Sequence, residues 1–248
     1  MHRFFVAPEV VAADWVTLPA EVAHQVRDVL RLRVGERIVL LDNSGREFET
    51  ELCAVGRDGV QGAVVARRVG TSEPGTELVL YQGLLKATKF EWILQKGTEM
   101  GVRAFVPTHC QRSIAGLTEQ GSMKVRRWER ILQEAAEQCG RTVAPVLFPT
   151  TTLETALAAQ PAGTLILFPW EEETATTLRA TLAARHGPIP PNRIALFIGP
   201  EGGFTADEAR LAAQQRAHVV TLGPRLLRAE TAALATIAMI LYEFAELG

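Results

Sequence analysis

The sequence predicts an α/β protein whose larger part alternates strands and helices behind a small β-rich domain. Three observations carry that prediction. From about residue 76 onward, apolar runs of strand length alternate with stretches of helical period. Residues 1–70 instead carry strand-like runs separated by turn dipeptides, with one helical stretch among them. Two apolar strands near the C-terminus each end in a Gly-Pro turn, Gly199-Pro200 and Gly223-Pro224.

In the small domain, Ile38-Val39-Leu40-Leu41 reads as a strand and Asn43-Ser44-Gly45 as a turn. Arg46 to Leu52 alternates enough for a half-exposed strand. Asp58-Gly59 between two apolar runs is a hairpin signal, because both turn positions would need positive φ. A helix is expected over about Ala20 to Leu30. The stretch Gly70-Thr71-Ser72-Glu73-Pro74-Gly75 has linker composition and sets the expected boundary between residues 1–70 and 71–248.

In the large domain the expected strands are Leu78–Leu85, Ala104–Pro107, Val146–Phe148, Leu165–Phe168, Ile194–Ile198 and Val219–Leu222. Thr88 with Glu91, Thr151 with Glu154 and Thr205 with Glu208 each fit a capping box at a helix start. A helix from Lys124 to Gly140 places Val125, Trp128, Ile131, Leu132, Ala135 and Cys139 on one face.

Composition excludes several classes. An apolar fraction of 47% over 248 residues argues against disorder and supplies a core. The net charge of −2 is spread without bias between the two segments, so an RNA partner would have to be met by local patches. Cys53, Cys110 and Cys139 are scattered, which suits reduced thiols and no metal site. The N-terminal apolar run is too short for a signal peptide, and the apolar helix from about Ala232 to Tyr242 is shorter than the roughly 20 residues a membrane span needs. The expectation is a soluble, cytoplasmic protein.

Two glycine turns following adjacent parallel strands would build a crevice at the carboxyl edge of the sheet. No G-x-x-x-x-G-K-[ST] or G-x-G-x-x-G phosphate cradle is present. Pro200 offers no N–H and Glu201 adds a negative charge, which disfavours a pyrophosphate. A ligand with a neutral base, a hydroxylated sugar and a positive centre fits better, as in S-adenosyl-L-methionine. Leu226 and Leu227 could pack on its adenine while Arg225 and Arg228 face a second substrate.

The segments Ile198-Gly199-Pro200-Glu201-Gly202-Gly203-Phe204 and Leu222-Gly223-Pro224-Arg225-Leu226-Leu227-Arg228-Ala229-Glu230-Thr231-Ala232 resemble the RsmE family. So do Lys86 through Val102, the run from Trp128 to Arg141, and the N-terminal Arg3-Phe4-Phe5 with His24 through Leu32. The resemblance spans the whole chain. Ala87 stands where the family often has glycine and Ala229 where threonine is expected; neither change removes a chemical group proposed here.

The resemblance implies a SPOUT methyltransferase domain with a C-terminal trefoil knot behind an N-terminal β-barrel PUA-like domain. It implies methylation of uridine N3 in 16S ribosomal RNA, a homodimer, and the small ribosomal subunit or its RNA as partner, with no membrane. Carried onto this chain, the cofactor would meet Leu167, Phe168 and Pro169, then Gly199, Pro200, Glu201 and Gly202, then Leu222, Gly223, Leu226, Leu227, Arg228 and Ala232. Arg3, Arg31, Arg33, Lys86, Lys96, Arg112 and Arg141 are the expected RNA contacts, and Lys89 is a further basic residue beside them.

Methylating N3 requires an unpaired uracil that loses a proton. Arg228 would stabilise charge developing on the uracil carbonyls, and Glu230 would orient Arg228 or accept the proton. Glu230 can equally be a helix N-terminal carboxylate that the macrodipole favours. The alternatives are another SPOUT RNA methyltransferase, acting on the 2′-oxygen of ribose or another base, and a non-catalytic ribosome-assembly factor. A nucleotide-dependent α/β enzyme is weakened by the missing phosphate loop.

Overall fold

The computed structural model describes residues 1–113, 121–185 and 191–247. The chain forms two compact units, residues 1–73 with 133–144, and residues 74–132 with 145–248.

The first unit contains β1 (Arg3–Phe5), β2 (Trp15–Thr17), α1 (Ala20–His24), β3 (Arg37–Leu41), β4 (Arg46–Gly56) and β5 (Gly59–Val69). Its sheet order is β1-β3-β4-β5-β2, with β1 parallel to β3 and the other pairs antiparallel. The hydrogen-bonded ladder runs from β1 to β2 without closing on itself, so the expected barrel is not closed by hydrogen bonds among the described residues. Inward positions such as Ile38, Leu40, Phe48, Leu52 and Val60 form its core. The hairpin forms one residue earlier than expected: Arg57 and Asp58 make the turn, neither at positive φ, and Gly59, at φ +135°, already pairs with Gly56. The helix expected over 20–30 starts on time but loosens into a π-helical turn from Gln25. It ends at Arg31, which is left-handed at φ +56°.

The second unit holds β6 (Glu77–Gly83), α2 (Ala87–Met100), β7 (Ala104–His109), α3 (Ser122–Cys139), β8 (Val146–Leu147), β9 (Thr151–Thr152), α4 (Leu153–Ala158), β10 (Leu165–Pro169), α5 (Leu178–Ala183), β11 (Arg193–Ile198), α6 (Ala206–Gln214), β12 (His218–Val220) and α7 (Ala229–Glu243). The tail of α3 counts with the first unit, where Ala136 packs with Phe5, Val39 and Leu41. The sheet is parallel throughout, in the order β12-β10-β11-β6-β7-β8, with β9 also on β7.

The central strands β6, β10 and β11 are apolar along most of their length because both faces are covered. Leu78, Leu80, Leu165, Leu167, Ile194 and Leu196 face one core, while Val79, Tyr81, Ile166, Phe168, Ala195 and Phe197 face the other. Each strand thus alternates between two hydrophobic layers.

Of the three expected capping boxes, Thr205 with Glu208 forms in full. The second shifts by one residue, with Thr152 capping through the Thr155 N–H. The first does not form: α2 begins at Ala87 with Lys86 as its N-cap, so Thr88 already lies inside the helix. The long helix ends as expected before Gly140, at φ +85°. The strands bearing the two Gly-Pro turns, β11 and β12, are not neighbours; β10 lies between them.

Candidate active site

The position of β10 makes the site. The chain runs from β10 to β11 on one side, then crosses to β12 on the other. At such a reversal the loops leaving adjacent strands diverge and leave a crevice beyond their carboxyl ends. Here that crevice is a cavity of about 720 Å³, walled by the loops after β10, β11 and β12 and by the start of α7. The volume lies within the range of small-molecule sites.

The middle loop is tightly built. The Gly203 N–H donates to the Pro200 carbonyl at 2.9 Å, closing a turn over Pro200–Gly203. Gly203 has φ +70°, and a Cβ there would collide with the Glu171 carboxylate. The positive φ favours glycine, while the carboxylate, at the end of a flexible side chain, could move aside. Arg112 Nη1 donates to the Gly202 carbonyl at 3.0 Å and to that of Phe204 at 3.3 Å. Trp170 Nε1 also donates to the Phe204 carbonyl, at 3.3 Å. Below the turn, the buried Gln82 donates through Nε2 to the Gly199 carbonyl at 3.2 Å.

The third loop begins with Thr221, whose hydroxyl accepts from the Gly223 N–H at 3.2 Å. Gly223 has φ +108°. The loop ends at Arg228, the N-cap of α7, whose exposed side chain makes no capping hydrogen bond.

Pro169, Gly199, Pro200, Glu201, Gly202, Leu222, Gly223, Leu226, Leu227, Arg228 and Ala232 all line the cavity. Leu167 and Phe168 do not. Both are fully buried in β10, on opposite faces of the sheet, because an interior strand of a doubly covered sheet has no free face. Phe168 instead stacks on Phe204 with ring centroids 4.0 Å apart, supporting the middle loop from behind. Leu226 stands at the rim, 83% exposed, where the sequence suggested packing against a base.

Sequence reasoning missed Trp170, Glu171, Glu173, Thr174 and Thr177 in the wall formed by the loop after β10. The run of an aromatic and three glutamates directly after an apolar strand was the available signal. Backbone N–H groups of Thr176 and Ala175 hold the Glu173 carboxyl below its ordinary range, so it is an anion at neutral pH. The cavity is therefore divided. Glu171, Glu173 and Glu201 line it from the loops after β10 and β11, and Arg225 and Arg228 from the loop after β12.

Glu230 is not paired with Arg228. Its carboxylate lies 3.8 Å from Lys89 Nζ, and Lys89 is 2.7 Å from Glu201. Among the other basic residues, Lys86 is exposed at the start of α2, and Lys96 pairs with Glu99. In the first unit, Arg31 and Arg33 are exposed, and Arg3 pairs with Glu47 at 2.7 Å. Arg141 is only 3% exposed, and its guanidinium donates to Glu73 at 2.7 Å. That placement is an internal strut rather than an open phosphate contact.

Among the described residues no group of three His, Cys, Asp or Glu side chains is placed to hold a metal ion, and no helix is long and apolar enough to cross a membrane.

A doubly covered parallel sheet with a cavity of small-molecule size at its order reversal defines an α/β protein with a ligand-binding crevice beyond its strand ends. Residues 72–241 match the model of the RNA methyltransferase domain, and residues 18–65 that of the RNA methyltransferase PUA domain. The chain belongs to this RNA methyltransferase family. It is 31% identical to ribosomal RNA small subunit methyltransferase E of Bacillus subtilis, over 98% of this chain and 97% of the relative. It is 32% identical to the Synechocystis protein of the same name, over 96% and 77%. Among solved structures, the chain is similar to ribosomal RNA small subunit methyltransferase E from Neisseria gonorrhoeae bound to S-adenosyl methionine. That match has a TM-score of 0.86, 29% identity, and coverage of 98% and 97%. A Legionella pneumophila methyltransferase in complex with the same cofactor gives a TM-score of 0.83 at 28% identity, with coverage of 97% and 96%.

Proposed function

We propose that this protein transfers the methyl group of S-adenosyl-L-methionine to N3 of a uridine in 16S ribosomal RNA. The observation that carries the reading is the cavity at the β10 reversal, in a chain whose full-length relatives are named as small-subunit rRNA methyltransferases. Its lining suits that donor. Ile198, Leu222 and Leu227 offer apolar surface to an adenine, loop carbonyls and N–H groups suit its polar edge and the ribose, and the carboxylates favour a cationic centre.

S-adenosylmethionine would supply an activated methyl group; the chain's residues do the rest. The three loops fix the donor, and Arg228, exposed beside them, faces the position of the uracil. Its guanidinium stabilises charge on the uracil carbonyls as N3 loses its proton. Glu230, two residues further on, is the acceptor proposed for that proton, although its side chain does not line the cavity and Lys89 faces one of its oxygens. Most of the rate gain comes from holding N3 in line with the methyl group.

The finer architecture belongs to the same reading. Residues 1–70 act as the PUA-like RNA-binding domain and residues 71–248 as the SPOUT domain. A trefoil knot over the C-terminal segment is supported by two relations: β12 crosses to the far side of β10, and α7 then returns to pack against α2, α5 and β11. The protein works as a homodimer in the cytoplasm, with Arg31, Arg33 and Lys86 as the open phosphate contacts. Replacing Arg228 by Ala tests the chemistry: labelled methyl transfer to small subunits should stop while donor binding persists, and full turnover in that variant refutes the role.

A further inference from the structure

We propose that Lys89 is a positioning residue of the methyl-transfer site: one cation that holds the loop after β11 and the start of α7 together. The inference rests on the function proposed above. Lys89 stands in the first turn of α2, with Nζ 2.7 Å from the Glu201 carboxylate and 3.8 Å from that of Glu230. Glu201 belongs to the Pro200–Gly203 turn that walls the donor cavity. Glu230 follows two residues after Arg228, in the first turn of α7.

Nothing in the sheet ties these two segments to one another. The first leaves β11 and the second follows β12, and β10 separates those strands. Among the described residues, the ion pairs of Glu201 and Glu230 are both made to Lys89. All three side chains are largely shielded, at 31% exposure for Lys89, 26% for Glu201 and 17% for Glu230.

Glu230 Oε2 is buried without a hydrogen bond. A carboxylate oxygen withdrawn from water needs a nearby cation, and Lys89 is the one that faces it. Lysine suits the task because its ammonium is a compact charge on a flexible stem, able to serve two carboxylates from one point. Without it, two anions close enough to share one Nζ would repel each other across a poorly solvated gap. The donor wall and the Arg228 segment would then separate, and both donor affinity and the alignment of N3 would suffer.

The test compares Lys89→Met, Lys89→Arg, Glu201→Gln and the Lys89→Met/Glu201→Gln pair. Each is measured for S-adenosylmethionine affinity by calorimetry, for single-turnover methyl transfer and for melting temperature. Lys89→Met should weaken donor binding and slow transfer by about tenfold each. Lys89→Arg should recover most of both losses, and the double variant should be less impaired than the two single effects combined. Wild-type affinity and rate in Lys89→Met, a Lys89→Arg as damaged as Lys89→Met, or strictly additive effects would each overturn the proposal. If Lys89→Met does not fold, Glu230→Gln decides, because Glu230 does not line the cavity and its loss can reach the donor only through Lys89: weaker donor binding supports the clamp and an unchanged affinity overturns it. The binding measurement needs no RNA, so a wild-type protein that methylates a different atom would refute the proposed reaction and leave this test intact.

Discussion

Gly83 and Pro200 share a space that cannot take one more methyl group. A Cβ on Gly83 would lie 2.8 Å from Pro200 Cδ and 2.7 Å from the Gly199 carbonyl carbon. The end of β6 therefore presses on the turn that walls the cavity, and the neighbouring Gln82 fastens it. Gly83→Ala should cost about 1–3 kcal/mol of stability, as overpacking does. Because the obstructed atoms are backbone, the turn must move, and donor binding should weaken with it. Thermal melting and calorimetry measure both; an unchanged donor affinity would show that the turn absorbs the methyl group elsewhere.

Arg112 distinguishes a loop anchor from an RNA contact. Its two hydrogen bonds to the Gly202 and Phe204 carbonyls join a charged donor to the donor-binding loop. Such bonds are worth about 1.5–3 kcal/mol when shielded, and less at an exposed residue such as this one. Arg112→Ala should weaken S-adenosylmethionine binding severalfold with no RNA in the cell of the calorimeter. A residue used only for RNA would leave that affinity unchanged and lower RNA affinity alone.

Arg31 occupies a backbone conformation better suited to glycine. At φ +56° it terminates the first helical segment, where the Leu32 N–H reaches back to the Val26 carbonyl at 2.9 Å. Arg31→Gly should raise stability by up to about 1 kcal/mol through relief of that strain. The same change should reduce RNA affinity and flatten its salt dependence, because a phosphate contact is lost. Binding isotherms at two salt concentrations check the second half; an unaltered salt slope would remove Arg31 from the RNA surface.

Glu73 and Arg141 set an acid limit on the first unit. Burial pushes the Glu73 carboxyl up, but the Arg141 guanidinium and the N–H groups of Thr142 and Val143 outweigh it and hold the group below its ordinary value. A carboxyl depressed in the folded state adds stability above its unfolded pKa, and that stability is lost as pH falls through the folded value. Arg141→Ala should cost about 3 kcal/mol near neutral pH by stranding a shielded carboxylate. The gap from wild type should narrow in acid, where Glu73 is protonated. Denaturant melts from neutral to acidic pH measure this, and a pH-independent gap would contradict it.

The residues that were legible in the sequence are those whose local chemistry is self-sufficient. Glycine turns, the Thr205 capping box and continuous apolar runs such as Ile194–Ile198 announce themselves within a few residues. What sequence patterns could not supply was order across the sheet. β11 and β12 read as adjacent, and only the crossing over β10 shows that a third loop, with Trp170, Glu171 and Glu173, completes the wall. The same distance effect hid Lys89, whose partners lie far along the chain, and hid that the side chains of Leu167 and Phe168 are buried within β10. Glu230 looked local to Arg228, yet its charge partner comes from α2.

The most direct measurement is to incubate the purified protein with S-adenosylmethionine and small ribosomal subunits from cells that lack it. The 16S RNA is then digested and its nucleosides identified by mass. The account predicts the appearance of 3-methyluridine, at no more than one per RNA chain. Donor bound without any methylated nucleoside, or a methyl group found on a ribose oxygen, would contradict it.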